Sequence, residues 1–193
     1  MELLICTNNL HKLEEIRSYI GPNYNLKSFR DLVDFEAPEE TSLTFAGNAL
    51  LKAQAGYKKT GLISIADDSG LEVVSLGGKP GVFSARYAGE TATDSDNNEK
   101  LLQELKGISN RQARFVSALA LVGSQKIIVV MGTVNGAILE EPRGDHGFGY
   151  DPLFFLPEKG KTMAELSLEE KNQISHRGRA LVKMAKELAQ IKV

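Results

Sequence analysis

Two runs in the middle of the chain, residues 114–122 and 126–134, are dense in Val, Ile and Leu and flank Gly123-Ser124. Such residues suit a pleated, half-buried surface, and a short glycine-bearing junction joins antiparallel strands. A central hairpin is predicted, with residues 136–139 continuing the sheet. Helical periodicities surround it. Residues 2–6 read as a buried strand. Residues 12–20 read as a helix with Leu13, Ile16 and Ile20 on one face, ended by Gly21-Pro22. Residues 26–29 read as a weak strand. Residues 44–59 read as a helix with Phe45, Ala49, Ala53 and Tyr57 at steps of four, stopped by Gly61. Residues 62–66 and 71–76 read as two strands around Asp67-Asp68-Ser69-Gly70. Thr93-Asp94-Ser95-Asp96 opens a helix that carries Leu101, Leu102 and Leu105 and is capped by Gly107. Ser167-Leu168-Glu169-Glu170 is a capping box, and the last helix carries Leu181, Met184, Ala185, Leu188 and Ile191 on one side. An antiparallel hairpin inside this order excludes a purely parallel doubly wound sheet. The expectation is an α/β fold with a mixed central sheet flanked by helices.

Composition narrows the function classes. The 193 residues are 42% apolar and 25% charged, with a formal net charge of −2, the balance of an ordinary soluble domain. The length predicts one domain over residues 1–193. A duplex binder needs an excess of Lys and Arg to displace counterions, so general nucleic-acid binding is not expected. The one cysteine, Cys6, excludes a disulfide framework and a Cys-rich zinc site, and reads as a small buried hydrophobe. No signal peptide and no apolar run of about 20 residues is visible, so a cytoplasmic protein without a membrane partner is the default.

Four segments can carry chemistry. Thr7-Asn8-Asn9-Leu10-His11-Lys12 joins the first strand to the first helix, whose unpaired N–H groups and positive dipole end suit phosphate. It lacks the glycine frame of a P-loop, and its plainer reading is an Asn cap followed by a surface Lys. Asp67-Asp68-Ser69-Gly70 is by composition a hairpin turn. Were the strand to continue, its alternation would send the two carboxylates to opposite faces, and adjacent carboxylates suit Mg²⁺, with Glu39-Glu40 able to add another oxygen. The loop over residues 144–151 has three glycines, Phe148 and Tyr150, which suit stacking on a flat base or packing into the core. Lys171 and Ser175-His176-Arg177 cluster basic groups at the start of the last helix, where the dipole disfavours them. Asn48 and Lys52 share a helix face. Together these features point to a magnesium-dependent reaction on a nucleotide or other phosphate ester.

As an ordered set these motifs resemble the inosine triphosphate pyrophosphatase family. The similarity runs from Thr7-Asn8-Asn9-Leu10-His11-Lys12-Leu13-Glu14-Glu15, through Glu39-Glu40-Thr41, Thr44-Phe45, Asn48-Ala49, Ala66-Asp67-Asp68-Ser69-Gly70-Leu71, Leu76-Gly77-Gly78, Pro80-Gly81 and Ser84-Ala85-Arg86-Tyr87. It continues to Gly147-Phe148-Gly149-Tyr150-Asp151-Pro152, Lys161-Thr162-Met163-Ala164-Glu165-Leu166, Lys171 and Ser175-His176-Arg177. Leu10-His11 and Gly144-Asp145-His146-Gly147 are small departures from the family pattern. The resemblance implies Mg²⁺-dependent hydrolysis of ITP, dITP and XTP to monophosphate and pyrophosphate by a homodimer, on an elongated sheet with two lobes around a nucleotide cleft. It implies that Asp68 is the general base and that Asp68 and Glu40 hold Mg²⁺. It further implies that Thr7, Asn8, Asn9, Leu10, His11 and Lys12 bind the triphosphate, helped by Lys52 with Ser69 close by. Phe148 would then stack on the base, with Gly149, Tyr150, Asp151, His176 and Arg177 around its edge and Lys171 near the nucleotide. The alternative is a Maf-like pyrophosphatase acting on other modified nucleotides, against which the 148–151 and 175–177 segments argue.

Overall fold

The computed structural model describes residues 1–20 and 24–191. The helix stop expected at Gly21-Pro22 lies outside the described residues. The elements are β1 (Glu2–Ile5), α1 (Leu10–Ile20), β2 (Asn25–Ser28), α2 (Phe45–Thr60), β3 (Ile63–Val73), α3 (Asp94–Glu104), β4 (Gln112–Val122), β5 (Ile127–Ile138), β6 (Phe154–Leu156), β7 (Lys161–Thr162), α4 (Leu168–Ile174) and α5 (His176–Leu188). The strands form a seven-stranded sheet in the order β2-β1-β3-β4-β5-β6-β7. β1 pairs parallel with both β2 and β3, whereas β6 pairs antiparallel with β5 and β7. The sheet is therefore mixed, as the central hairpin requires; Gly123 N–H donates to the Lys126 carbonyl at its tip (2.9 Å).

Local chemistry explains the element ends. The Thr44 hydroxyl accepts from Gly47 N–H at the start of α2, and Gly61 ends that helix at φ 68°. Thr93 and Ser167 open α3 and α4 through capping boxes with Asp96 and Glu170. α3 ends at Glu104 with Leu105 as its cap, two residues before the cap expected at Gly107. The segment after Ser167 is two helices, broken at Ser175, whose extended backbone (φ −66°, ψ 161°) stops α4.

One sequence expectation is overturned. Asp67-Asp68-Ser69-Gly70 is no turn; β3 runs straight through it as an 11-residue strand. Turn composition misleads here because the two carboxylates find partners inside the protein.

The chain divides into two compact units. The first comprises Met1–Asp68, Ser117–Gly132 and His176–Val193; the second comprises Ser69–Val116 and Thr133–Ser175. The first unit's core joins Leu3 and Ile5 of β1, Leu13 and Ile16 of α1, Leu119 and Leu121 of β4, and Leu181 and Met184 of α5. Cys6 is fully buried, and burial pushes its thiol up to about 12, so it stays an inert hydrophobe. The second unit's core gathers Leu71 and Val73 of β3, Leu101 of α3, Phe115 of β4, and Tyr150 and Phe154. Its Phe115 and Phe154 rings lie 4.3 Å apart.

Candidate active site

In the first unit the chain after β1 folds back on itself before α1 begins. The Thr7 hydroxyl accepts from Asn9 N–H (3.1 Å), and Asn9 Oδ1 accepts from Lys12 N–H (3.1 Å), which caps α1. Thr7 is buried, while Asn8, Asn9, Leu10 and His11 are exposed. The Asn cap is real, but Lys12 is no surface lysine. Its Nζ reaches Asp67 Oδ2 at 2.8 Å, and only 15% of the side chain is exposed.

Asp67 is a hub. Ser117 of β4 donates its hydroxyl to Oδ1 (2.6 Å), and Arg177 Nη2 donates to Oδ2 (3.2 Å) alongside Lys12. The second arm of the Arg177 fork, Nη1, binds Glu15 of α1. Arg177 and Asp67 are each about 1% exposed and Glu15 is 3% exposed, so the charges of this group must balance internally. Within it Arg177 and Lys12 oppose Asp67 and Glu15. Burial alone would raise the Asp67 carboxyl, but Arg177 and Lys12 outweigh it and hold the group well below the usual carboxylate range. Burial likewise works against the Arg177 cation, and Asp67 and Glu15 more than restore it. The carboxylates also remove the helix-dipole objection to a cation in the first turn of α5.

Asp68 serves a different group, as strand alternation dictates. Its Oδ1 lies 3.7 Å from Lys52 Nζ, which also holds Glu40 Oε1 at 2.6 Å. Lys52 and Asn48 are buried, not members of a solvated helix face, and Asn48 Oδ1 accepts from Ser42 N–H (2.8 Å). Glu39 is exposed, so the neighbouring pair of acids contributes Glu40 alone. Burial pushes the Asp68 carboxyl up, against the pull of Lys52 and Lys12 and with the help of Glu40 and Asp67. Burial works to discharge Lys52, yet Asp68 and Glu40 raise it overall.

Two carboxylates thus already converge on one cation, the Lys52 ammonium. These hard oxygen donors fit Mg²⁺, which commonly takes one or two protein carboxylates and completes its shell from phosphate and water. Among the described residues no group of three His, Cys, Asp or Glu side chains could hold a metal alone.

The second unit builds the aromatic part. Gly147 and Gly149 bracket Phe148 at φ 79° and 63°, in the left-handed region that glycine enters without strain. A Cβ on Gly147 would collide with the Asp151 carboxylate, which accepts from Phe148 N–H (2.9 Å). Asp151 Oδ2 also binds Lys171 Nζ (2.7 Å), and that ammonium sits 4.7 Å from the centre of the Phe148 ring. Phe148 is half-buried, whereas Tyr150 belongs to the core, with its hydroxyl donating to the Ser84 carbonyl (2.9 Å). Ser69, the β3 residue after Asp68, is half-buried in this unit.

The family profile described as the Ham1 family matches residues 3–187. The chain belongs to the Ham1 family. It is 50% identical over 189 residues to the dITP/XTP pyrophosphatase of Bacillus subtilis, covering 96% of each chain. It is 51% identical over 183 residues to the protein of that name from Geobacter sulfurreducens, covering 93% of this chain and 92% of the relative. In three dimensions it is similar to the Staphylococcus aureus Ham1 protein, with 44% identity, a TM-score of 0.90 and full coverage of both chains.

Within this Ham1 chain the basic cluster expected around residues 171–177 is divided. Lys171 joins Asp151 and Phe148 in the second unit, while His176 and Arg177, both buried, begin α5 in the first. The resemblance puts Arg177 and Tyr150 at a base edge; the structure gives the Arg177 fork to Asp67 and Glu15, and Tyr150 to the core. Sequence reasoning assigned no role to Glu15 or Ser117. Glu15 lies off the Leu13–Ile16–Ile20 stripe of α1, so periodicity places it in solvent. The buried Arg177, far along the chain, is what takes it inside.

Proposed function

We propose that the chain hydrolyses non-standard purine nucleoside triphosphates, dITP, ITP and XTP, to the nucleoside monophosphate and pyrophosphate. The observation that carries this reading is the pair of adjacent buried carboxylates in β3, each joined to a lysine, Asp67 to Lys12 and Asp68 to Lys52. The names of the half-identical relatives support the substrate class. Water attacks the α-phosphorus, its proton passes to Asp68, and the bond from the α-phosphorus to the bridging oxygen breaks as pyrophosphate leaves. A carboxylate beside the Lys52 ammonium is suited to accept that proton. Lys12 and Lys52 neutralise the phosphate oxygens, with the exposed Asn8 and Asn9 beside them. Mg²⁺ held by Asp68 and Glu40 would add charge neutralisation on the same oxygens. The resemblance also supports a homodimer and a cytoplasmic setting.

In this reading Phe148 stacks on the base, and the Lys171 ammonium beside its ring offers a donor to a 6-oxo purine. An adenine amino group would face a donor there, and such mismatches discriminate by roughly 10⁴. The test is pyrophosphate release from dITP, XTP, dATP, dUTP and methylated nucleotides, with and without Mg²⁺. Release from dITP and XTP that needs Mg²⁺ and exceeds release from dATP by at least ~100-fold is expected; a preference for dUTP or a methylated nucleotide overturns the proposal. Phe148→Ala should raise KM for dITP by the equivalent of about 1–3 kcal/mol of lost stacking while sparing kcat. An unchanged KM would assign the ring to packing alone.

A further inference from the structure

Gly149 is held at both ends of its own residue by one helix. Its N–H donates to Asp94 Oδ2 (2.6 Å), and its carbonyl accepts from Asn98 Nδ2 (2.9 Å). Asp94 and Asn98 are four apart on α3 and so share a face. Phe148 N–H is bound to Asp151 within the loop, so α3 supplies the hold from outside it.

Neither residue caps the helix. An acidic residue in a first turn commonly serves as a cap or offsets the dipole, but the α3 cap is built by Thr93 and Asp96, with Thr93 N–H donating to Asp96 Oδ2 (2.7 Å). Anchoring of α3 falls to Asn97, which accepts from Ala88 N–H (2.8 Å) and donates to the Ala85 carbonyl (3.1 Å). Asn98 moreover carries a penalty. Its Oδ1 is buried without a hydrogen-bond partner among the described residues, and rotating the amide would only turn that oxygen onto the Gly149 carbonyl. Buried acceptors without partners are rare and concentrate where a local rule is broken for function.

We propose that Asp94 and Asn98 are positioning residues for base recognition: they clamp Gly149 and so hold the Phe148 ring ready before the base arrives. This rests on the nucleotide reading of the Phe148 loop. A loop ordered in advance loses less conformational entropy on binding, so the clamp acts on KM and on base discrimination, not on the phosphate chemistry.

Asn98→Ala and Asp94→Ala test it, with Asn98→Asp keeping the shape and replacing the donor by an acceptor. Hydrogen exchange of residues 147–150 should accelerate by at least ~10-fold in each variant, with the rest of the chain unchanged. KM for dITP should rise ~10-fold with kcat within ~2-fold, and inhibition by inorganic triphosphate, which has no base, should not move. In a Phe148→Ala background the Asn98→Ala change should add less than ~2-fold, because the clamp works through that ring. Unchanged exchange, or a KM effect that adds in full to that of Phe148→Ala, overturns the proposal. A wild-type enzyme that releases no pyrophosphate from dITP overturns the functional reading and the recognition role with it, whatever the exchange at Gly149 shows.

Discussion

Asp68→Asn is expected to abolish pyrophosphate release from dITP while the protein still binds the nucleotide. The substitution keeps the size of the side chain and removes both its charge and its ability to take a proton. Lys12, the Thr7–Asn9–Lys12 turn and the aromatic loop are untouched, because Asp67 and not Asp68 holds Lys12 most closely. A lost general base alone typically costs 10²–10⁴-fold, and the lost oxygen ligand adds to that. Single-turnover measurement with saturating dITP, alongside equilibrium binding of the same nucleotide, separates the two effects. Retained turnover would move the base to another carboxylate, with Glu40 the next candidate on the Lys52 ammonium.

Arg177→Met is expected to damage stability more than any other substitution of a charged residue in the first unit. It takes from the buried Glu15 and Asp67 carboxylates the guanidinium that binds them both. Breaking a buried ion pair from one side costs about 3–5 kcal/mol, against a total of about 5–15 for a typical domain. Urea unfolding at neutral pH measures it, and a loss below about 1 kcal/mol would show that the network carries no such weight. The pH dependence supplies a second readout. A carboxylate depressed in the folded state contributes stability that is fully present above the unfolded value near 3.9 and is lost as pH falls through the folded value. For Asp67 that loss falls well into acid, because Arg177 and Lys12 overcome the burial that opposes them. In Arg177→Met the larger of those two cations is gone, so acid unfolding should begin at a higher pH than in the wild type.

What the sequence disclosed and what it hid follow from the range of the forces involved. Caps are local, so Thr93 and Ser167 announce their helices within three residues, and the hairpin at Gly123 is visible from its flanking strands. The course of the chain at Asp67-Asp68 was not local. Two acids followed by Ser and Gly resemble a turn until Ser117 and Arg177 arrive from far along the chain to satisfy a carboxylate inside a strand. The division between Lys171 and Arg177 was hidden for the same reason. Their proximity in sequence suggested one basic cluster, while the break at Ser175 sends them to different carboxylates. The aromatic pair split by burial: Phe148 remains half-open beneath an ammonium, and Tyr150 is drawn into the core by its ring and its hydroxyl. The similarity of ordered motifs named the family where spacing alone reached only a phosphate ester.

The first turn of α5 lies hard against β5 at Gly132. A Cβ there would run into the His176 carbonyl and come within 2.6 Å of the Ala180 amide, both of them backbone atoms that cannot rotate away. Any side chain at this position must displace the helix that carries Arg177. The charge network therefore depends on a residue that has no side chain and no charge, and a substitution at position 132 would reach Arg177 through the backbone.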